Sequence, residues 1–75
     1  MNTIKVKRDI DGQRYEASAR YASEDDGWYV TVGVRSAGQL AIFERRGPVN
    51  DAWSEIIDML DLAASGSYAL LAGAL

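Results

Sequence analysis

Cysteine and histidine are both absent from this chain of 75 residues, and it holds a single proline. Without cysteine no disulfide can staple the domain. Without thiolate or imidazole a zinc or iron–sulfur centre lacks its usual ligands. Without histidine nothing titrates near neutral pH unless its pKa is moved far from its ordinary value, so acid–base catalysis would need a displaced carboxylate or lysine. Nucleophile elbows, Walker loops and dinucleotide fingerprints are missing as well, and the expected protein is not an enzyme and carries no cofactor. No apolar run reaches the roughly 18 residues of a membrane span, and the N-terminus lacks the basic-then-apolar layout of a signal peptide, which points to the cytoplasm. What is present is 48% apolar and 25% charged residues, the balance of a folded domain rather than a disordered tail. The length allows one core.

Two regimes meet at Gly47-Pro48. Before them residues alternate with the period of a strand; after them apolar spacing turns helical and basic residues stop. The expectation is a single α+β domain over residues 1–75: an antiparallel sheet in 1–46 and a helical part in 49–75. Asp11-Gly12 suits a type I′ turn, which needs positive φ at both central positions. With those residues at the turn, paired positions sum to 23, so Asp9 faces Arg14, Lys7 faces Glu16, Val6 faces Ala17 and Ile4 faces Ala19. Charge pairs then share one face and apolar pairs the other, which a one-residue slip would undo. Ser36-Ala37-Gly38 suits a three-residue loop for a second hairpin, with pairs summing to 74: Val34 with Leu40, Val32 with Ile42, Thr31 with Phe43 and Tyr29 with Arg45. Joined by the polar loop Ser23–Gly27, the hairpins make a four-stranded meander.

Its inner face would carry Ile4, Val6, Ile10, Tyr15, Ala17, Ala19, Trp28, Val30, Val32, Leu40 and Ile42. An amphipathic helix over residues 50–64 would cover it, with Asn50 as N-cap and Asp51 in the first turn. At 100° per residue Trp53, Ile56, Ile57, Met59, Leu60, Ala63 and Ala64 share one broad arc. Gly66 ends the helix and Ser67 caps a short second one from Tyr68 to Leu75.

The net charge of −3 divides unevenly. Residues 1–48 hold eight bases and seven acids, whereas residues 49–75 hold four acids and no base. Asp51, Glu55, Asp58 and Asp61 line the outside of the helix without the lysines that would normally alternate with them. A solvated face is the plain reading. The functional one is a surface for a basic partner, either a protein or a groove that normally holds nucleic acid, with Glu24, Asp25 and Asp26 joining it from the loop. Three consecutive acids do not reproduce the alternating ligands of a calcium loop.

The outer face of the sheet is the alternative binding surface. It would present Lys5, Lys7, Tyr29, Phe43 and Arg45, with Arg14 and Arg20, an arrangement like the stacking platforms that hold single-stranded nucleic acid. Such residues also decorate ordinary solvated sheets, and the acidic balance of the chain weighs against direct nucleic-acid binding. Residues 68–75 carry no charge and are expected either to close the core or to form a homodimer contact.

In its four-strand meander, acidic helix and small size the chain resembles small phage-encoded anti-CRISPR proteins. The resemblance implies an inhibitor acting on a CRISPR effector subunit in the host cytoplasm, with acidic residues meeting a basic surface. The stretch Ile4-Lys5-Val6-Lys7-Arg8-Asp9-Ile10-Asp11-Gly12 also resembles the first strand and turn of HicB-type antitoxins, which implies a sheet-plus-helix domain that neutralises a small RNase toxin, although Tyr21-Ala22-Ser23-Glu24 stands where they have a Pro-rich segment.

Overall fold

A computed structural model describes residues 2–66. It shows an α+β domain: β1 (Thr3–Ile10), β2 (Gln13–Ala22), β3 (Gly27–Ser36) and β4 (Gln39–Val49) form one antiparallel sheet in chain order, and α1 (Ala52–Ala64) follows. The expected second helix, and with it the self-association contact at residues 68–75, lies outside the described residues. No helix among those described is long and apolar enough to cross a membrane.

The first hairpin has the register that its turn dictates. Asp11 and Gly12 both adopt positive φ (51° and 80°), and Ile10↔Gln13 through Ile4↔Ala19 pair as expected. The second hairpin departs by one residue. Its turn is the two-residue Ala37-Gly38, at φ 53° and 80°, so Ser36 pairs with Gln39 and Val34 with Ala41. This slip moves Leu40 and Ile42 off the inner face, and they stand 40% and 37% exposed instead of packing in the core. The register then shifts again between Val32 and Gly33, a bulge that makes Phe43 the extra residue. Phe43 turns inward, packing against the core with its ring 6.4 Å from that of Tyr15. It is therefore not an anchor on the outer face.

Beyond the bulge Val32 faces Glu44, Thr31 faces Arg45 and Val30 faces Arg46. The strand runs on past residue 46 to Val49, through Gly47 at φ 144°. A Cβ on Gly47 would lie 2.7 Å from the Trp28 carbonyl oxygen and from the Tyr29 ring. Only glycine lets β4 lie this closely on Tyr29.

Helix α1 lies over β2 and β3. The small Ala17 and Ala19, with Val30 and Val32, meet Ala52, Ile56, Met59, Leu60 and Ala63 in one buried cluster. Only this stripe is buried; Trp53 and Ile57, expected in the same arc, are 54% and 55% exposed. A single flat sheet covers roughly a 100° stripe of a helix, and the seven-residue arc is wider than that. The N-cap is Asp51 rather than Asn50. Its carboxylate accepts from the Ser54 backbone N–H at 3.3 Å and from the Ser54 hydroxyl at 2.8 Å. These bonds, the hydroxyl's first, hold the Asp51 carboxyl below the usual aspartate range.

A group whose pKa is lowered by folding contributes stability above its unfolded value, about 3.9, and loses it as pH falls through the folded value. Asp51→Ala is therefore expected to lower the urea midpoint at pH 7, and the gap from wild type is expected to narrow below about pH 4 as the native carboxylate protonates. Urea titrations followed by circular dichroism at pH 7 and at pH 3 check this.

Candidate anion-binding face and the acidic helix behind it

Alternation along each strand, combined with the registers, sorts the outer face into rows across the sheet. Thr3, Arg20 and Tyr29 form one row; Lys5, Ser18, Thr31 and Arg45 form the next. Lys7, Glu16, Gly33 and Ile42 form a third, and Asp9, Arg14, Arg35 and Leu40 a fourth. Six of the eight cations (Lys5, Lys7, Arg14, Arg20, Arg35 and Arg45) thus share this face with two carboxylates, Asp9 and Glu16. Of the other nine carboxylates, Asp25 reaches the edge of this face through the Tyr29 hydroxyl, and the remaining eight belong to the turns, the inner side of β4 and the helix, with Arg8 and Arg46 also off the face.

The two ends of this face differ. In the outermost row Arg14 donates to Asp9 at 2.7 Å, and next to it Arg35 donates to Glu16 at 2.6 Å. Those bonds hold both carboxyls below their usual values. At the other end Lys5, Arg20 and Arg45 form no ion pair among the described residues. They surround a shallow depression of about 470 Å³ with Thr3, Ser18, Tyr29 and Thr31, and no carboxylate lines it. On its floor the Ser18 and Thr31 hydroxyls lie 2.9 Å apart. The Arg20 guanidinium stands 6.0 Å from the centre of the Tyr29 ring, within cation–π range. The Tyr29 hydroxyl donates to Asp25, which raises its pKa and fixes the ring at the rim. An adjoining depression of about 400 Å³ brings Lys5 and Lys7 beside the exposed Leu40 and Ile42. Cations, hydroxyls, one aromatic ring and apolar side chains are therefore side by side on an open surface.

The acidic residues are in large part engaged within the chain. Arg46 donates to Glu44, to Asp58 at 2.7 Å and to Glu55 at 2.9 Å, and those three carboxylates raise its pKa. One guanidinium thus fastens β4 to α1 while neutralising part of the helix face. Asp51 caps the helix, Asp25 accepts from Tyr29, and Asp26 accepts from the Tyr21 hydroxyl at 2.6 Å. Glu24 and Asp61 are exposed. The pairing of Trp28 with Val49 puts the Glu24–Asp26 loop and the start of α1 at one end of the sheet. Among the described residues no group of His, Cys, Asp or Glu is arranged to hold a metal ion.

Ser18, Thr31 and Arg46 were not singled out by sequence reasoning. The first two were within reach of it: the four-residue turn at 23–26 pairs Ala22 with Gly27, and the same arithmetic places Ser18 opposite Thr31. Arg46 depends on the bulge at Phe43, which no turn residue announces.

Fold and face define the class, a small α+β domain whose sheet is cationic on its open side and covered by an acidic helix on the other. Comparison with protein-family models, with curated proteins and with solved structures gives no match.

Proposed function

We propose that this domain is a non-catalytic binding module that holds single-stranded nucleic acid on the open face of its sheet. The observation that carries the reading is the sorting of charge by face, six cations with two carboxylates, within a chain of net charge −3. A polyanion meets the local field of the face rather than the net charge. Unstacked bases find Tyr29, Leu40 and Ile42 there, and an open sheet face can accept splayed bases that a duplex keeps stacked within its grooves. Such a module would work in the cytoplasm. Anisotropy of a fluorescein-labelled single-stranded RNA, titrated at 20 and 200 mM salt, is expected to show binding that weakens as salt rises, because condensed cations are released on binding. Absence of binding at the lower salt would sink the proposal.

A second reading is supported by the helix side. Trp53 and Ile57 stand one turn apart and exposed, and the exposed Asp61 follows one turn after Ile57, an apolar patch with an acidic edge. It matches the inhibitor or antitoxin role that the resemblances imply: a basic surface of a CRISPR effector subunit or of a small RNase would be the partner. On this reading Trp53→Ala combined with Asp61→Lys loses capture of that partner while Lys5→Glu does not. Capture that survives the helix variant removes it.

A further inference from the structure

Resting on the sheet-face reading, we infer that the Ser18–Thr31 hydroxyl pair is the seat of one phosphodiester group of the bound strand, with Lys5 and Arg45 closing over it from the two ends of their row. The row crosses all four strands in successive pairs: cation, hydroxyl, hydroxyl, cation. At about 4.8 Å per strand its ends are roughly 14 Å apart, and both end residues carry long flexible side chains able to lean inward.

Proton counting singles out the middle. Each hydroxyl has one proton to donate. The bond between Ser18 and Thr31 uses one of the two, and the second has no acceptor among the described residues. The pair is part-buried, on the floor of a depression lined by three cations and no carboxylate. A donor so placed offers its hydrogen bond to an anion arriving from solvent. A phosphodiester supplies what fits: one non-bridging oxygen accepts the spare hydroxyl proton while the other accepts from Lys5 or Arg45. The sugar–phosphate chain then crosses the strands along the row, and bases on either side meet Tyr29 in one direction and Ile42 in the other.

Two full-length double variants and one competitor test this, read by anisotropy of the labelled RNA. Ser18→Ala with Thr31→Val removes both hydroxyls together, so neither is left unsatisfied, and Val keeps the strand-favouring shape of Thr. It is expected to fold as wild type by circular dichroism, to weaken binding by about tenfold and to leave the slope of log affinity against log salt unchanged. Lys5→Glu with Arg45→Glu is expected to weaken binding further and to flatten that slope. Polyglutamate is expected to displace the RNA far less well than inorganic polyphosphate of equal charge.

If the hydroxyl variant binds as wild type while the charge variant does not, the seat is wrong and the sheet-face reading stands. If the charge variant also binds as wild type, both fall. Equal displacement by polyglutamate and polyphosphate overturns the phosphodiester assignment, leaving a face that accepts any polyanion.

Discussion

Replacing Lys5 and Arg45 by glutamate is expected to lower affinity for a single-stranded oligonucleotide by on the order of 100-fold at low salt. A hydrogen bond to a charged group is worth about a factor of ten or more, and each reversal also places a carboxylate against the phosphates. Neither cation has an ion-pair partner among the described residues, and both stand exposed on the edge strands, so the fold has little to lose. The variant should keep its melting temperature within a few degrees. Arg14→Glu is the comparison, because Arg14 already binds Asp9 at 2.7 Å and lies in the row farthest from the depression. Its effect should be several-fold smaller per reversed charge. Equal losses per reversed charge in the two variants would mean that only overall charge matters and that the unpaired cations are not a site.

Met59→Ala has the largest expected effect on stability. Met59 is 0% exposed, in a cluster with Ile56, Val30 and Val32. Truncating a buried methionine costs about 2–5 kcal/mol in lost transfer and in the cavity left behind. A single core in a chain of this size supplies roughly 3–5 kcal/mol in all, and no disulfide backs it up. The variant is therefore expected to be substantially unfolded at 25 °C, with loss of both helical and strand signals in circular dichroism. Trp53→Ala, at a side chain 54% exposed on the same helix, should move the urea midpoint little. If Met59→Ala melts as wild type, the helix does not pack on the sheet as described.

How far the fold could be read beforehand varied with the strength of each local signal. Asp11-Gly12 admits one tight turn, and the charge pairs Asp9–Arg14 and Lys7–Glu16 agree with it, so the first hairpin was legible to the residue. Ser36-Ala37-Gly38 admits a loop of two residues or three; the two-residue turn points Leu40 and Ile42 outward, where a three-residue loop would point them inward. The bulge at Phe43 compensates lower down, which is why Arg45 still faces outward while Phe43 does not. At the helix start Asn50 and Asp51 are adjacent and both are good caps; the Ser54 hydroxyl favours Asp51.

The candidate site shows the same pattern. Acidity of residues 49–75 was plain in the sequence, but the guanidinium that takes up Glu55 and Asp58 belongs to β4 and reaches them through the shifted register. Dividing charge along the chain pointed to the helix. Dividing it by face, which needs all three registers at once, points to the sheet.

Amide chemical-shift mapping of the isotopically labelled protein, titrated with a short single-stranded RNA at low salt, tests the sheet-face claim most directly. Perturbations are expected to cluster at Lys5, Ser18, Arg20, Tyr29, Thr31 and Arg45 and to spare residues 53–61. Perturbations centred on residues 53–61, or none at millimolar RNA, would contradict that claim.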